Sequence, residues 1–415
     1  MIPYQIAYGT LSSLIILYVL DIGGTVLSAS YAVAFSNLLW ILASIFWGKV
    51  VEVYSKRKIF ITISLVGLSA SLVALFAIRS VIGVIVVYGI LTFFVIANSM
   101  PFNLLVMETN PKEKWASGFS RLQMFSTIGV VLGFLITSFL SGFLSLDYVI
   151  LLLAPFAMAA IIFTKFIKEP KSAFPRLTIF SSILAFRSRL LSNPMIFLKI
   201  PGLSLITRQA NKTFSGKISL FEKGQYINVL YGAVLIFYIG TTIFNTSYPA
   251  GLKASGFSNF EILAVLLVGN IAQAMTFYKS GILTERRIKA QVATSSMFAR
   301  GIGYMLIGIT FLTVSNMVLL GTNLILYSIS AGIAYALFYT SFNTMVFEAV
   351  GTDNRSSKLG IYSGFVGLGA LFGAPLAGYI SYYIGYWMAF ILAGVLMLAA
   401  AGIVIIGKRH MHSSS

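Results

Sequence analysis

The stretch 47–58, WGKVVEVYSKRK, closes a long apolar run with Gly48, places an acid four residues on at Glu52, and then sets three consecutive cations, Lys56, Arg57 and Lys58. An acid beside cations at a helix end can form ion pairs that break and re-form. A second stretch, GILTERRIK (281–289), repeats the spacing with Gly281, Glu285, Arg286, Arg287 and Lys289. Bond-making chemistry has little to work with elsewhere. The 415 residues include no cysteine, and both histidines, His410 and His412, lie in the tail. Disulfides and thiolate metal sites are therefore excluded, and neither a metal nor a cofactor is expected. A membrane-embedded transferase acting on diphosphates would need paired acids to hold Mg²⁺. No Asp-rich pair lies between the apolar runs, so no enzyme is expected.

The elements that must position these residues are membrane spans. Hydrophobic residues make up 58% of the chain and charged ones only 10%, against about 25% charged in soluble domains. Apolar runs near 20 residues long imply transmembrane helices, which satisfy their own backbone hydrogen bonds. The runs predict spans near 5–22, 28–50, 58–78, 82–106, 117–142 and 147–166, then near 225–247, 258–279, 290–314, 317–346, 357–381 and 384–407.

The formal charge of +18 gathers in alternate connectors, and only Arg79 and Lys253 fall in the others. By the positive-inside rule the basic connectors are cytoplasmic, the densest being 168–223. An even span count then puts both termini inside. The charge therefore expresses topology; the bilayer is the expected partner and nucleic acid is not. The division expected is 1–167, a basic linker 168–223, 224–408 and a tail 409–415. Within the linker, RLTIFSSILAFRSRLL (176–191) reads equally as a helix in the headgroup layer or as a tether.

The two sets of spans are related by an internal repeat. PFNLLVMETNPKEKWAS (101–117) aligns with SFNTMVFEAVGTDNRSS (341–357) at an offset of 240, matching Phe102/Phe342, Asn103/Asn343, Val106/Val346, Glu108/Glu348 and Ser117/Ser357. Gly129/Gly369, Gly133/Gly373 and Ser141/Ser381 carry the same offset down the next span. The Gly48 and Gly281 stretches align at 233. Matching segments after an even number of spans make parallel repeats.

A glycine, three residues, an acid and a basic cluster between the second and third spans resembles the signature loop of the major facilitator superfamily. Glu52 stands where that family usually has Asp. The resemblance implies an all-α membrane protein of twelve transmembrane helices in two parallel six-helix repeats. It also implies that Gly48, Glu52, Lys56, Arg57, Lys58, Gly281, Glu285, Arg286, Arg287 and Lys289 form a conformational latch; headgroup anchoring is the competing reading. An acid followed seven residues later by Arg is a second family feature, which Glu348 and Arg355 match. Glu108 finds Lys114 instead, with Arg121 as a further partner. Family members line their central cavity with the first, fourth, seventh and tenth spans, which here offer Ser12, Tyr18, Asn98, Tyr238, Thr241, Asn245, Tyr335 and Tyr339.

No acid falls at the middle of a span. Asp21 and Glu108 are the candidates for proton coupling. Arg300, in SSMFARGIGYML, is the one cation well inside a span; it could bind an anionic substrate or snorkel to the surface, and snorkelling is expected. The function expected is a secondary transporter of a small organic solute in the cell membrane, working by alternating access as a monomer. An uncoupled facilitator or an efflux carrier of lipophilic compounds is the alternative.

Overall fold

The computed structural model describes residues 1–53, 57–109, 115–166, 226–286, 288–313, 316–350 and 355–412. Among them twelve helices are long and apolar enough to cross a membrane: Ile2–Asp21, Val26–Trp47, Lys58–Ala77, Val81–Asn98, Leu122–Ser141 and Leu146–Phe166, then Tyr226–Ala254, Asn259–Gly281, Lys289–Thr313, Val318–Val346, Ile361–Tyr383 and Tyr386–Gly407. They are numbered here as spans 1 to 12. No strand occurs among the described residues. The spans coincide with the twelve apolar runs, with ends up to eight residues apart, because hydrocarbon admits only backbone that bonds to itself.

Three spans are interrupted. Span 1 turns at Gly9 and Thr10, span 6 at Leu152 and Leu153, and span 10 through a wide helical turn at Ser328–Ile333. The chain between residues 167 and 225, with the amphipathic candidate 176–191, lies outside the described residues.

The repeat shows in the packing. Span 1 packs on span 5, span 2 on span 4 and span 3 on span 6; span 7 on span 11, span 8 on span 10 and span 9 on span 12 repeat these contacts. The glycines foreseen at constant offset carry the match. A Cβ on Gly129 would meet the Ile2 carbonyl at 2.8 Å, and one on Gly133 the Ile6 carbonyl at 2.9 Å. In the second set a Cβ on Gly369 would meet the Leu235 carbonyl at 2.7 Å, and one on Gly373 the Ile239 carbonyl at 2.6 Å. Glycines four residues apart thus let one backbone seat against another, as small residues do where lipid supplies no hydrophobic drive between helices.

The two sets meet along a duplicated seam, span 2 against span 11 and span 5 against span 8. Polar side chains cross it. Asn37 donates to the Ala370 carbonyl at 3.2 Å, Tyr31 and Tyr379 hydroxyls lie 2.9 Å apart, and Ser138 donates to the Phe260 carbonyl at 3.2 Å. Asn37 thus takes the interhelical role expected of a buried amide, whereas Asn270 donates to Leu266 of its own span. These crossings run from mid-seam to one end of the bundle, called here the Asp21 end. The opposite, basic end carries Lys58 and Lys289.

Candidate substrate cavity and its gates

Tyr238, Thr241 and Asn245 follow one another at three- and four-residue steps and share a face of span 7. Spans 1, 2, 8, 10, 11 and 12 all touch span 7. Between Tyr226 and Lys253, Asn245 is nevertheless the one exposed residue, with Phe244 and Thr246 buried beside it. Its exposure therefore opens into the bundle. Thr241 is buried and its hydroxyl has no hydrogen-bond partner. On span 10, Tyr335 and Tyr339 stand a turn apart with ring centroids 5.9 Å from each other. Tyr362 of span 11 donates to Asn343 Oδ1 at 3.0 Å, and the Asn343 amide donates to the Tyr339 carbonyl at 2.7 Å. Tyr238, Tyr335, Tyr339 and Tyr362 lie deep in the protein and still keep accessible surface.

The first set contributes fewer groups. Ser12 is exposed on span 1, a turn beyond Tyr8, whose ring stacks on Tyr4 at 5.7 Å. Asn98 on span 4 is only 1% exposed, and neither its Nδ2 nor its Oδ1 finds a partner. Tyr18 corrects the sequence reading. It is buried, and its hydroxyl donates to the Ile78 carbonyl at 2.8 Å, which ties span 1 to the end of span 3 instead of lining a cavity. A tyrosine's position along a helix does not say whether its hydroxyl serves packing or a ligand.

At the Asp21 end the sets are joined by a triangle of polar groups. Lys253 Nζ lies 2.8 Å from Asp21 Oδ1, Asn259 Nδ2 donates to Asp21 Oδ2 at 2.8 Å, and Lys253 donates to Asn259 Oδ1 at 2.8 Å. Asp21 was foreseen as a coupling candidate; the structure places it in this inter-set contact. Two nearby acids serve locally. Asp147 pairs with Arg79 at 2.6 Å, and Glu261 accepts from the Ser258 backbone N–H at 2.8 Å while Ser258 caps the span in return, a capping box.

At the basic end Lys289 pairs with Glu348, joining span 9 to the end of span 10 inside one set. Gly281 has open space where a Cβ would stand, so no helix approaches it closely. Lys56, Lys114 and Arg287, and the side chains of Gly48, Glu52, Arg57, Glu108, Arg121, Glu285, Arg286 and Arg355, lie outside the described residues.

Arg300 also departs from expectation. It does not snorkel: it is 2% exposed in the middle of span 9, with its guanidinium carbon 4.7 Å from the Tyr335 ring centre, 5.1 Å from Tyr304 and 5.4 Å from Phe237. The sequence signal was its central position in the span; what it could not supply was the three rings, which come from spans 7, 9 and 10.

Twelve spans in two parallel sets, joined along a duplicated seam around partly accessible polar groups, define a multi-pass membrane protein of the two-fold carrier type. The family model described as Major Facilitator Superfamily matches residues 2–299 and 230–413, and the chain belongs to that family. Among curated relatives, the "Uncharacterized MFS-type transporter C18.02" of Schizosaccharomyces pombe is 28% identical over 160 residues, 37% of this chain and 33% of that protein. The "Putative metabolite transport protein YyaJ" of Bacillus subtilis is 24% identical over 180 residues, 43% of this chain and 38% of that protein. The matched region thus spans 33% of one relative and 38% of the other. Among solved structures, the partially occluded inward-open xylose transporter XylE of E. coli superposes with a TM-score of 0.67 at 13% identity, covering 96% of each chain, a likeness of fold.

Proposed function

We propose that this protein is a secondary transporter that moves a small organic metabolite across the cell membrane by alternating access, with the basic end and both termini in the cytoplasm. The observation that carries the reading is the asymmetry of closure. Among the described residues, polar contacts between the sets run from mid-seam to the Asp21 end, while tyrosines of spans 7, 10 and 11 keep accessible surface within the bundle. Such a cavity, shut at one end, is what an inward-facing carrier requires. The topology agrees with the density of Lys and Arg at the basic end. The names of YyaJ and XylE, a metabolite transport protein and a xylose transporter, favour a sugar or similar metabolite as cargo. Ser12, Asn98, Tyr238, Thr241, Asn245, Tyr335 and Tyr339 hold the solute. Glu52 and Glu285, each beside a basic cluster, latch the cytoplasmic side when it closes, and Asp21 belongs to the opposite gate.

The test is a thermal-shift screen of the purified protein against sugars, amino acids, organic acids and lipophilic cations, since a ligand of the folded state raises its melting temperature. For any compound that binds, Asn245→Ala and Tyr339→Ala should each weaken affinity about five- to 150-fold, from about 1–3 kcal/mol for an orphaned buried partner. Wild-type affinity in both variants would move the site elsewhere.

A further inference from the structure

We propose that Arg300 is the anchor of an anion subsite in the second set of spans, and that its ligand is a small carboxylate with an apolar body. The inference rests on the transporter reading and assigns it a cargo class other than the sugar that the relatives' names favour. Arg300 lies eleven residues into span 9, which begins at Lys289. At 1.5 Å per residue that is about 16 Å deep, near the middle of a hydrocarbon layer about 30 Å thick. A charge at that depth is costly and ordinarily faces a counter-charge or a functional partner. Among the described residues it has no counter-charge: Asp21, Asp147, Glu261 and Glu348 all lie at span ends, and none pairs with it. The buried guanidinium Nε and Nη1 have no hydrogen-bond partner.

What surrounds the guanidinium describes its guest. Three aromatic faces, from Phe237, Tyr304 and Tyr335, stabilise the cation through their ring electrons but give its buried Nε and Nη1 no hydrogen-bond partner. Each of the two, paired with Nη2 on its edge of the guanidinium, makes the fork that matches the two oxygens of a carboxylate. The rings themselves would hold an apolar body beside it. Access runs past Tyr335, the one ring of the three that is only partly buried; it stands two residues after the wide turn at Ser328–Ile333. Turns of that kind break the regular ladder and gather at functional sites. From Tyr335 the way leads to Tyr339 and the Asn245 face of span 7. The solute cavity and the buried cation are therefore neighbours, and the carboxylate end of the metabolite would reach the cation while its apolar body lies against the aromatic rings.

The test uses purified full-length protein in nanodiscs and three matched probe pairs: acetate and acetamide, lactate and lactamide, benzoate and benzamide. Wild-type melting temperature should rise with benzoate and lactate and not with their amides. Arg300→Gln should lower the affinity for the carboxylate at least tenfold, with Arg300→Lys intermediate because it keeps the charge and loses the fork. Equal stabilisation by acid and amide, no response of the wild type to any carboxylate, or an unchanged response in Arg300→Gln overturns the proposal. Should either variant fail to fold, the acid–amide comparison in the wild type decides alone. Failure here leaves alternating access standing, because that is read separately from distances between the two sets at each end of the bundle.

Discussion

Replacing Asp21 by alanine should open the end of the transporter that the structure shows closed. Asp21 is the only acid in the contact of Lys253 and Asn259 across the two sets, and its two oxygens accept one bond from each at 2.8 Å. Both charged side chains are 29% accessible, so water screens part of the attraction. Fully exposed pairs contribute about 0.2–1 kcal/mol, whereas hydrogen bonds to charged groups contribute about 1.5–3 kcal/mol. Half-buried and twice bonded, this carboxylate falls between, at about 1–3 kcal/mol. If the contact exists only in the closed form, its loss multiplies the open population about five- to 150-fold. The chain has no cysteine, so spin labels can be placed at Thr25 and Ala254, exposed residues on either side of the gate. Pulsed dipolar distances should show a longer component appear in Asp21→Ala. The same component should appear in Lys253→Ala, and the double variant should add less than the sum of the two. High salt should shrink the difference from wild type as screening shortens toward about 3 Å. An identical distance distribution in wild type and both variants would refute a gate at this triangle.

Other outcomes follow from the same packing. Glu348→Gln removes an ion pair that lies within one set, so it should leave the Thr25–Ala254 distances as they are in wild type. Gly373→Ala should lower the melting temperature, because its Cβ would sit 2.6 Å from the Ile239 carbonyl, whereas Gly321→Ala, with nothing within 4 Å, should not. Tyr248→Phe strands the Oδ1 of Asn323, a residue with no exposed surface, and should cost about 1–3 kcal/mol in equilibrium unfolding; no loss would mean the amide finds another donor.

The spans and the repeat were legible in the sequence because both are local. A run of apolar residues declares a span by itself, and Gly129, Gly133, Gly369 and Gly373 declare a close helix contact by their spacing. The faces of the spans were less legible. Tyr18 and Tyr335 are the same residue type within spans, yet one hydroxyl bonds a neighbouring carbonyl and the other ring covers a cation. Arg300 looked like a residue able to reach the surface, since nothing within span 9 shows the rings that spans 7 and 10 bring to it. The gate was hidden for a related reason. Asn259 and Asp21 are 238 residues apart and meet only through the seam between the sets.

Alternating access is tested most directly by following both ends of one wild-type protein. Labels at Thr25 and Ala254 report the Asp21 end, and labels at Ile59 and Ile288, both exposed, report the basic end. In nanodiscs, with and without a stabilising ligand, rocking of the two sets predicts that whenever one pair shortens the other lengthens, their populations changing in opposite directions and by equal amounts. Two distances that stay fixed under every condition, or that lengthen and shorten together, would contradict a carrier of this kind.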